Sequence, residues 1–201
     1  MINLKLNGKT LKVPASWEDV TFDQYIKYLR SDGNNLKVVS IFTEIPEDVL
    51  LNPKTEIVGF DNIITALDFL NDKPEFEITY KLGKYTIPKD ITFESPAQYF
   101  DMKACMINAA DVISCTEKYA DILAIYVQKI RDGAYDQEKA KAMVPDIMKM
   151  PAGEVLSAGS LFIVKLLNLS KNTPKTSLKQ VTKSKKSRQG LTSSRKRSAR
   201  R

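Results

Sequence analysis

Apolar residues recur along this chain with two different periods. Between Met106 and Arg131, the residues Ile107, Ala110, Ile113, Ala120, Leu123, Val127 and Ile130 fall mostly at steps of three and four, which marks one face of a helix. Ile122, Ile125 and Tyr126 widen that face, while Asp111, Glu117, Lys118, Asp121, Gln128, Lys129 and Arg131 take the opposite side. Small and β-branched residues at Ser114-Cys115-Thr116 predict a weak point within this helix. Asp132-Gly133 predicts its end, because glycine takes the left-handed cap conformation at little cost. Asp136 is placed to cap a second helix that runs through Ala140 and Met143 to Met150, with Pro145 as a kink or boundary. From Glu154 to Leu169 the pattern is apolar almost all round, which predicts a helix buried in a bundle or against a partner. A membrane span is the competing reading; Glu154, Lys165 and the short run count against it, since spanning needs about 20 apolar residues.

The first half alternates with a period of two. Ile2, Leu4 and Leu6 alternate with polar neighbours, Asn7-Gly8 supplies a turn, and Leu11 and Val13 return, so residues Ile2 to Val13 read as a β-hairpin. Trp17 reads as a core anchor ahead of a helix from Gln24 to Arg30 with Thr21 as its N-cap. Leu36 to Phe42 predicts a short helix, and Pro46 sits where the first turn of another would begin. Pro53 to Phe60 reads as a connection, and Asp61 as the cap of a helix through Leu67 and Leu70. The opening then recurs: Phe76, Ile78 and Tyr80 alternate, Gly83-Lys84 turns, and Tyr85 and Ile87 return. Ile91-Thr92-Phe93-Glu94 echoes Val20-Thr21-Phe22-Asp23, and Gln98-Tyr99 echoes Gln24-Tyr25.

These elements predict an α+β fold, mainly α: two small β-hairpins packed on a helical bundle, followed by an extended basic C-terminal tail. Residues 1–103 would hold the two hairpin–helix modules, 104–170 the helical block of the same globular domain, and 171–201 the tail.

Charge sharpens that last boundary. The 201 residues carry a net charge of +7, but twelve of the 31 bases and none of the 24 acids lie from Lys171 onward. The body is therefore acidic, with 19 bases against 24 acids, and the tail strongly basic. With large apolar residues reduced to Leu178, Val181 and Leu191, the tail cannot bury enough surface to offset its ordering entropy, and alone it should stay disordered. Its two basic clusters, Lys183, Lys185, Lys186 and Arg188, then Arg195, Lys196, Arg197, Arg200 and Arg201, are the candidate polyanion- or partner-binding residues. No aromatic residue separates them, so phosphate contact without base readout is the nucleic-acid chemistry they fit. Acidic grooves of partner subunits would suit them equally.

Catalytic chemistry is not visible. The chain has no histidine, which removes the commonest general base and transition-metal ligand. Gly8-Lys9-Thr10 and Gly83-Lys84 lack the earlier glycine of a phosphate loop, and Ser157-Ala158-Gly159-Ser160 reads as close helix packing. Cys105 and Cys115, ten residues apart on one helical stretch, would lie about 15 Å apart at 1.5 Å rise per residue, too far for a disulfide. Both read as small buried residues of a reducing compartment. No signal-like apolar run opens the chain, so a cytoplasmic product is expected. A catalytic site, a cofactor site and a metal site are all expected to be absent.

The run Leu123-Ala124-Ile125-Tyr126, then Gly133-Ala134-Tyr135-Asp136-Gln137-Glu138-Lys139-Ala140, then Met150-Pro151 and an apolar helix with Gly159 and Phe162, resembles proteins of tailed-bacteriophage structural gene clusters: tail assembly chaperones and small head–tail components. Pro14-Ala15-Ser16-Trp17-Glu18-Asp19-Val20-Thr21-Phe22-Asp23-Gln24-Tyr25 and the second hairpin with Gln98-Tyr99 carry the same likeness. It spans roughly residues 1 to 169, and the basic tail lies beyond it. The resemblance implies a non-enzymatic virion or assembly role, in a homo-oligomeric ring beside portal, neck or tail subunits, assembled in the host cytoplasm and not membrane-bound. The tail adds a reason for retention in the particle, where it would contact phage DNA without sequence specificity or acidic partner subunits. The alternative is a transient tail assembly chaperone that leaves before maturation.

Overall fold

The computed structural model of the chain describes residues 1–52, 57–72, 74–76, 79–88, 95–107 and 111–172. The chain divides into two units, Met1–Ile163 and Val164–Arg201, and the packing below is that of the first. It is mainly helical, with two small antiparallel hairpins.

Strands β1 (Ile2–Leu6) and β2 (Lys9–Val13) pair in register, Ile2 opposite Val13 and Leu6 opposite Lys9. Asn7 and Gly8 form the loop, both with positive φ (49° and 75°), which matches the right-handed twist of the strands. Helix α1 (Phe22–Leu29) starts with a capping box: Thr21 Oγ1 accepts from the Gln24 amide, and Gln24 Oε1 accepts from the Thr21 amide. Helices α2 (Asn35–Thr43) and α3 (Glu47–Leu50) follow, with Asn34 capping α2 and Pro46 one position ahead of α3 rather than inside its first turn. Helix α4 (Ile57–Ala66) begins earlier than the sequence pattern implies, so Asp61 is an exposed residue within it and not its cap. Gly59 explains the seat of α4: a Cβ there would press on the Lys5 carbonyl oxygen and Leu6, so only glycine lets the helix lie this close to β1.

Leu6, Val13, Val20, Val39, Phe42, Ile63 and Leu67 form the core of this half. Trp17 anchors its edge as expected, with Tyr25, Tyr28 and Phe69 edge-on at 5.4–5.8 Å and its indole N–H donated to the Asp72 carbonyl at 3.1 Å.

The second hairpin is shorter than its alternating pattern predicts: β3 (Lys81–Leu82) and β4 (Tyr85–Thr86) hold two residues each. The Tyr80 carbonyl still accepts from the Ile87 amide at 2.7 Å, but Thr79 and Phe76 ahead of it turn elsewhere. Ser157 Oγ accepts from the Thr79 amide and donates to the Thr79 carbonyl, and Phe76 lies against Gly153. The echo at residues 91–94 lies outside the described residues. The cap that is seen there is Ser95, whose hydroxyl accepts from the Gln98 amide as Thr21 does from Gln24.

The long helix of the pattern is two. Helix α5 (Pro96–Ile107) ends before Asp111, which caps α6 (Val112–Asp132) through its bond from the Ser114 amide at 2.7 Å. The break thus falls before Ser114-Cys115-Thr116, Asp111 is a cap and not part of a polar stripe, and the two cysteines, both free thiols, sit on different helices. Gly133 (φ 80°) ends α6, and Asp136 caps α7 (Gln137–Met148), which carries Pro145 inside it. α6 and α7 pack most extensively, α5 lies on α6, and α1 touches both α6 and α7. Helix α8 (Ala152–Asn172) is joined to the first half by a short antiparallel bridge: the Phe22 amide donates to the Met150 carbonyl, and the Ala152 amide to the Val20 carbonyl. Ala152, Val155, Ala158 and Phe162 are its buried face, Phe162 meeting Tyr126 at 4.7 Å, whereas Leu156, Leu161 and Ile163 are half-buried. The helix is therefore one-sided up to that point, not buried all round.

Candidate functional site

The basic residues singled out from the sequence, Lys183 to Arg201, lie outside the described residues. Three surface features of the folded unit stand out.

The first is the outer face of α5. Gln98 and Met102 point inward and are fully buried, which turns Phe100, Lys103, Ala104 and Ile107 outward at helical spacing. Phe100 is 62% and Ile107 68% exposed. The Tyr99 ring meets Phe100 edge-on at 5.7 Å, and the Lys103 ammonium lies 5.9 Å from the Tyr99 centroid. Exposed large apolar residues grouped this way mark interaction surfaces far more often than scattered ones do.

The second is a cleft of about 280 Å³ between α5, α6 and α7. Tyr135 donates its hydroxyl to Asp101 at 2.5 Å, and Lys118 pairs with Asp121 at 3.1 Å. Burial, then the bond to Asp101, pushes the Tyr135 phenol well above its ordinary range. Burial also pushes the Cys105 thiol up to about 11, with Asp121 adding to the shift and Lys118 opposing it. At neutral pH the cleft therefore presents a protonated thiol, a protonated phenol and an already paired lysine. A nucleophile needs the opposite, a thiolate or a neighbouring base.

The third is a wider groove, about 600 Å³, between the first hairpin and the α2–α3 corner. Leu6, Leu11, Ile45, Pro46, Val49 and Leu50 line it. Glu44 stands at its wall, and Glu47 and Asp48 stand exposed on α3 beside Val49. Lys9 is the base on the opposite wall.

Known proteins give no lead. The chain matches no family model, no curated protein and no solved structure. Among the described residues no group of three or more Cys, Asp or Glu is placed to hold a metal ion, and no helix is long and apolar enough to cross a membrane.

Sequence periodicity alone misplaced two kinds of residue here. Ile107 and Ile130 belong to the apolar stripe by spacing, yet Ile107 is 68% and Ile130 38% exposed. Gln128, assigned to the polar side, is fully buried: its amide donates to Asp132 and to the Ala134 carbonyl, both at 3.1 Å, and its oxygen accepts from the Asp136 amide at 3.0 Å. The signal available in the sequence was Asp111 followed three residues later by Ser114, which starts a new helix and rotates α5 out of the stripe of α6.

Proposed function

We propose that this chain is a non-enzymatic structural or assembly protein of a tailed bacteriophage, a multi-copy ring component of the portal, neck or tail region. The observation that carries this reading is the outward stripe of α5, where Phe100 and Ile107 are left more than three-fifths exposed on one helix face. A monomer gains nothing from such a stripe, while a subunit packed against another buries it. The resemblance of residues 1–169 to head–tail and tail-assembly proteins supports the particle. The charge division supports retention in it: an acidic body makes subunit contacts, and the basic segment beyond Lys171 meets DNA phosphates or acidic neighbours.

Mass spectrometry of purified particles tests the reading. A ring component is present at a fixed multiple of the portal or tail subunits and stays through density-gradient purification. Absence from mature particles, with presence in lysates during assembly, would replace this reading with that of a transient tail assembly chaperone.

A further inference from the structure

The groove between the first hairpin and α3 has a composition that describes its occupant. Its floor is aliphatic, from Leu6 and Leu11 on the hairpin and Ile45, Val49 and Leu50 on the helical corner. Acids stand along its helical side: Glu44 lines it, Glu47 and Asp48 are exposed on α3 next to Val49, and none of the three makes an ion pair among the described residues. Val49 is 47% and the neighbouring Leu51 67% exposed, so apolar surface continues out of the groove. A segment that fits must carry a few aliphatic side chains set among several bases. Beyond Asn172 the chain contains such a segment, Lys175-Thr176-Ser177-Leu178-Lys179-Gln180-Val181-Thr182-Lys183, where two of the three large aliphatic residues after Asn172 stand between three lysines.

We propose that this groove receives residues 175–183 of a second copy of the chain. The proposal rests on the multi-copy reading above and gives it a contact. By net charge two bodies repel and two basic segments repel, so the pairing that charge favours between copies is body with segment, beside any apolar contact made by α5. A contact of that kind uses different surfaces on the two partners, and such head-to-tail contacts close into rings when the rotation allows. Among the described residues Lys9 on the hairpin wall is the one base that lines the groove, and it sets the polarity of seating by turning the incoming lysines toward α3.

The test uses the full chain with a photo-cross-linking residue in place of Gln180, mixed from isotopically heavy and light preparations and irradiated at low salt. Heavy–light pairs joining position 180 to residues 44–50 are expected. Glu44→Lys, Glu47→Lys and Asp48→Lys together, all on exposed positions, should lower their yield on the order of tenfold, since like charges then face each other. Adding Lys175→Glu, Lys179→Glu and Lys183→Glu should restore it, which a mere loss of folding would not allow. Pairs confined to one isotope overturn the second-copy occupant. Cross-links to other parts of the body, yields indifferent to charge reversal, or cross-links formed only to added duplex DNA overturn the groove. Particle mass spectrometry reads the multi-copy reading separately, so a failed groove and a failed particle assignment are told apart.

Discussion

At the scale of single residues, Gln128 shows how a polar side chain becomes a structural part. It lies in a run of α6 that is buried from Ile122 to Val127, and a hydrocarbon there would pack well. What hydrocarbon cannot do is satisfy the turn into α7, whose Ala134 carbonyl and Asp136 amide both bond to this one amide group. Gln128→Leu should therefore cost about 1–3 kcal/mol in urea unfolding, the penalty for stranding polar groups rather than for losing volume. A second readout follows from Asp132. Its carboxyl is held well below the usual carboxylate range, first by the Arg131 guanidinium and second by the Gln128 amide. Because that pKa is depressed in the folded state, the stabilisation is fully present above about pH 4, the unfolded value, and is lost as pH falls through the folded value. In Gln128→Leu the Asp132 titration followed by NMR should move upward and still stay below the ordinary range, because Arg131 remains. Gly159 makes the opposite point, a residue fixed by what it lacks. A Cβ there would overlap the Tyr119 ring, so Gly159→Ala should destabilise by about 1–3 kcal/mol, as overpacking does, despite alanine's better helix propensity. Equal or higher stability by thermal unfolding would mean that α8 and Tyr119 are not in contact in solution.

At the scale of elements, what was legible in the sequence was what local chemistry decides. Asn7-Gly8 sets the first hairpin, Thr21 with Gln24 closes a capping box, and Gly133 and Asp136 mark a stop and a start. Each of these is settled within four residues. The features that were not legible depend on distant partners. Phe76 to Tyr80 alternates like a strand, yet Thr79 finds its bonds on Ser157 and Phe76 packs on Gly153, both on α8. Start of α4 was hidden in the same way, because Gly59 looks like a helix breaker until the Lys5 carbonyl it accommodates is known. The division of α5 from α6 lies between these cases, for Asp111 was visible as an acidic residue but not as a cap. Removing that cap tests the division. Asp111→Ala should lower stability and speed amide exchange in the first turn of α6, while Asp111→Asn, which keeps the accepting oxygen, should do so far less. Equal losses for both would assign the effect to charge at the helix start instead.

At the scale of the molecule, net charge conceals the arrangement that matters. A chain averaging +7 would be read as uniformly basic, yet its acids all precede Lys171 and twelve of its bases follow from there. Salt then acts on the two parts differently. Contacts between apolar surfaces, such as one formed by Phe100 and Ile107, strengthen or hold as salt rises, whereas contacts made by the basic segment weaken. If the nine residues Lys183, Lys185, Lys186, Arg188, Arg195, Lys196, Arg197, Arg200 and Arg201 all neutralise phosphates, log K for duplex DNA should fall against log salt with a slope of up to about −8. A chain ending at Gly190 keeps four of them, so its slope should be roughly half as steep, and one ending at Asn172 should show almost none. Self-association of that shortest chain separates the surfaces further. It retains the α5 stripe, so any assembly left should survive high salt and be lost on Phe100→Asp with Ile107→Asp. A slope that stays steep after truncation at Asn172 would place the DNA contacts on the body, where acids outnumber bases, and would remove the reason for treating the basic segment as the binding part.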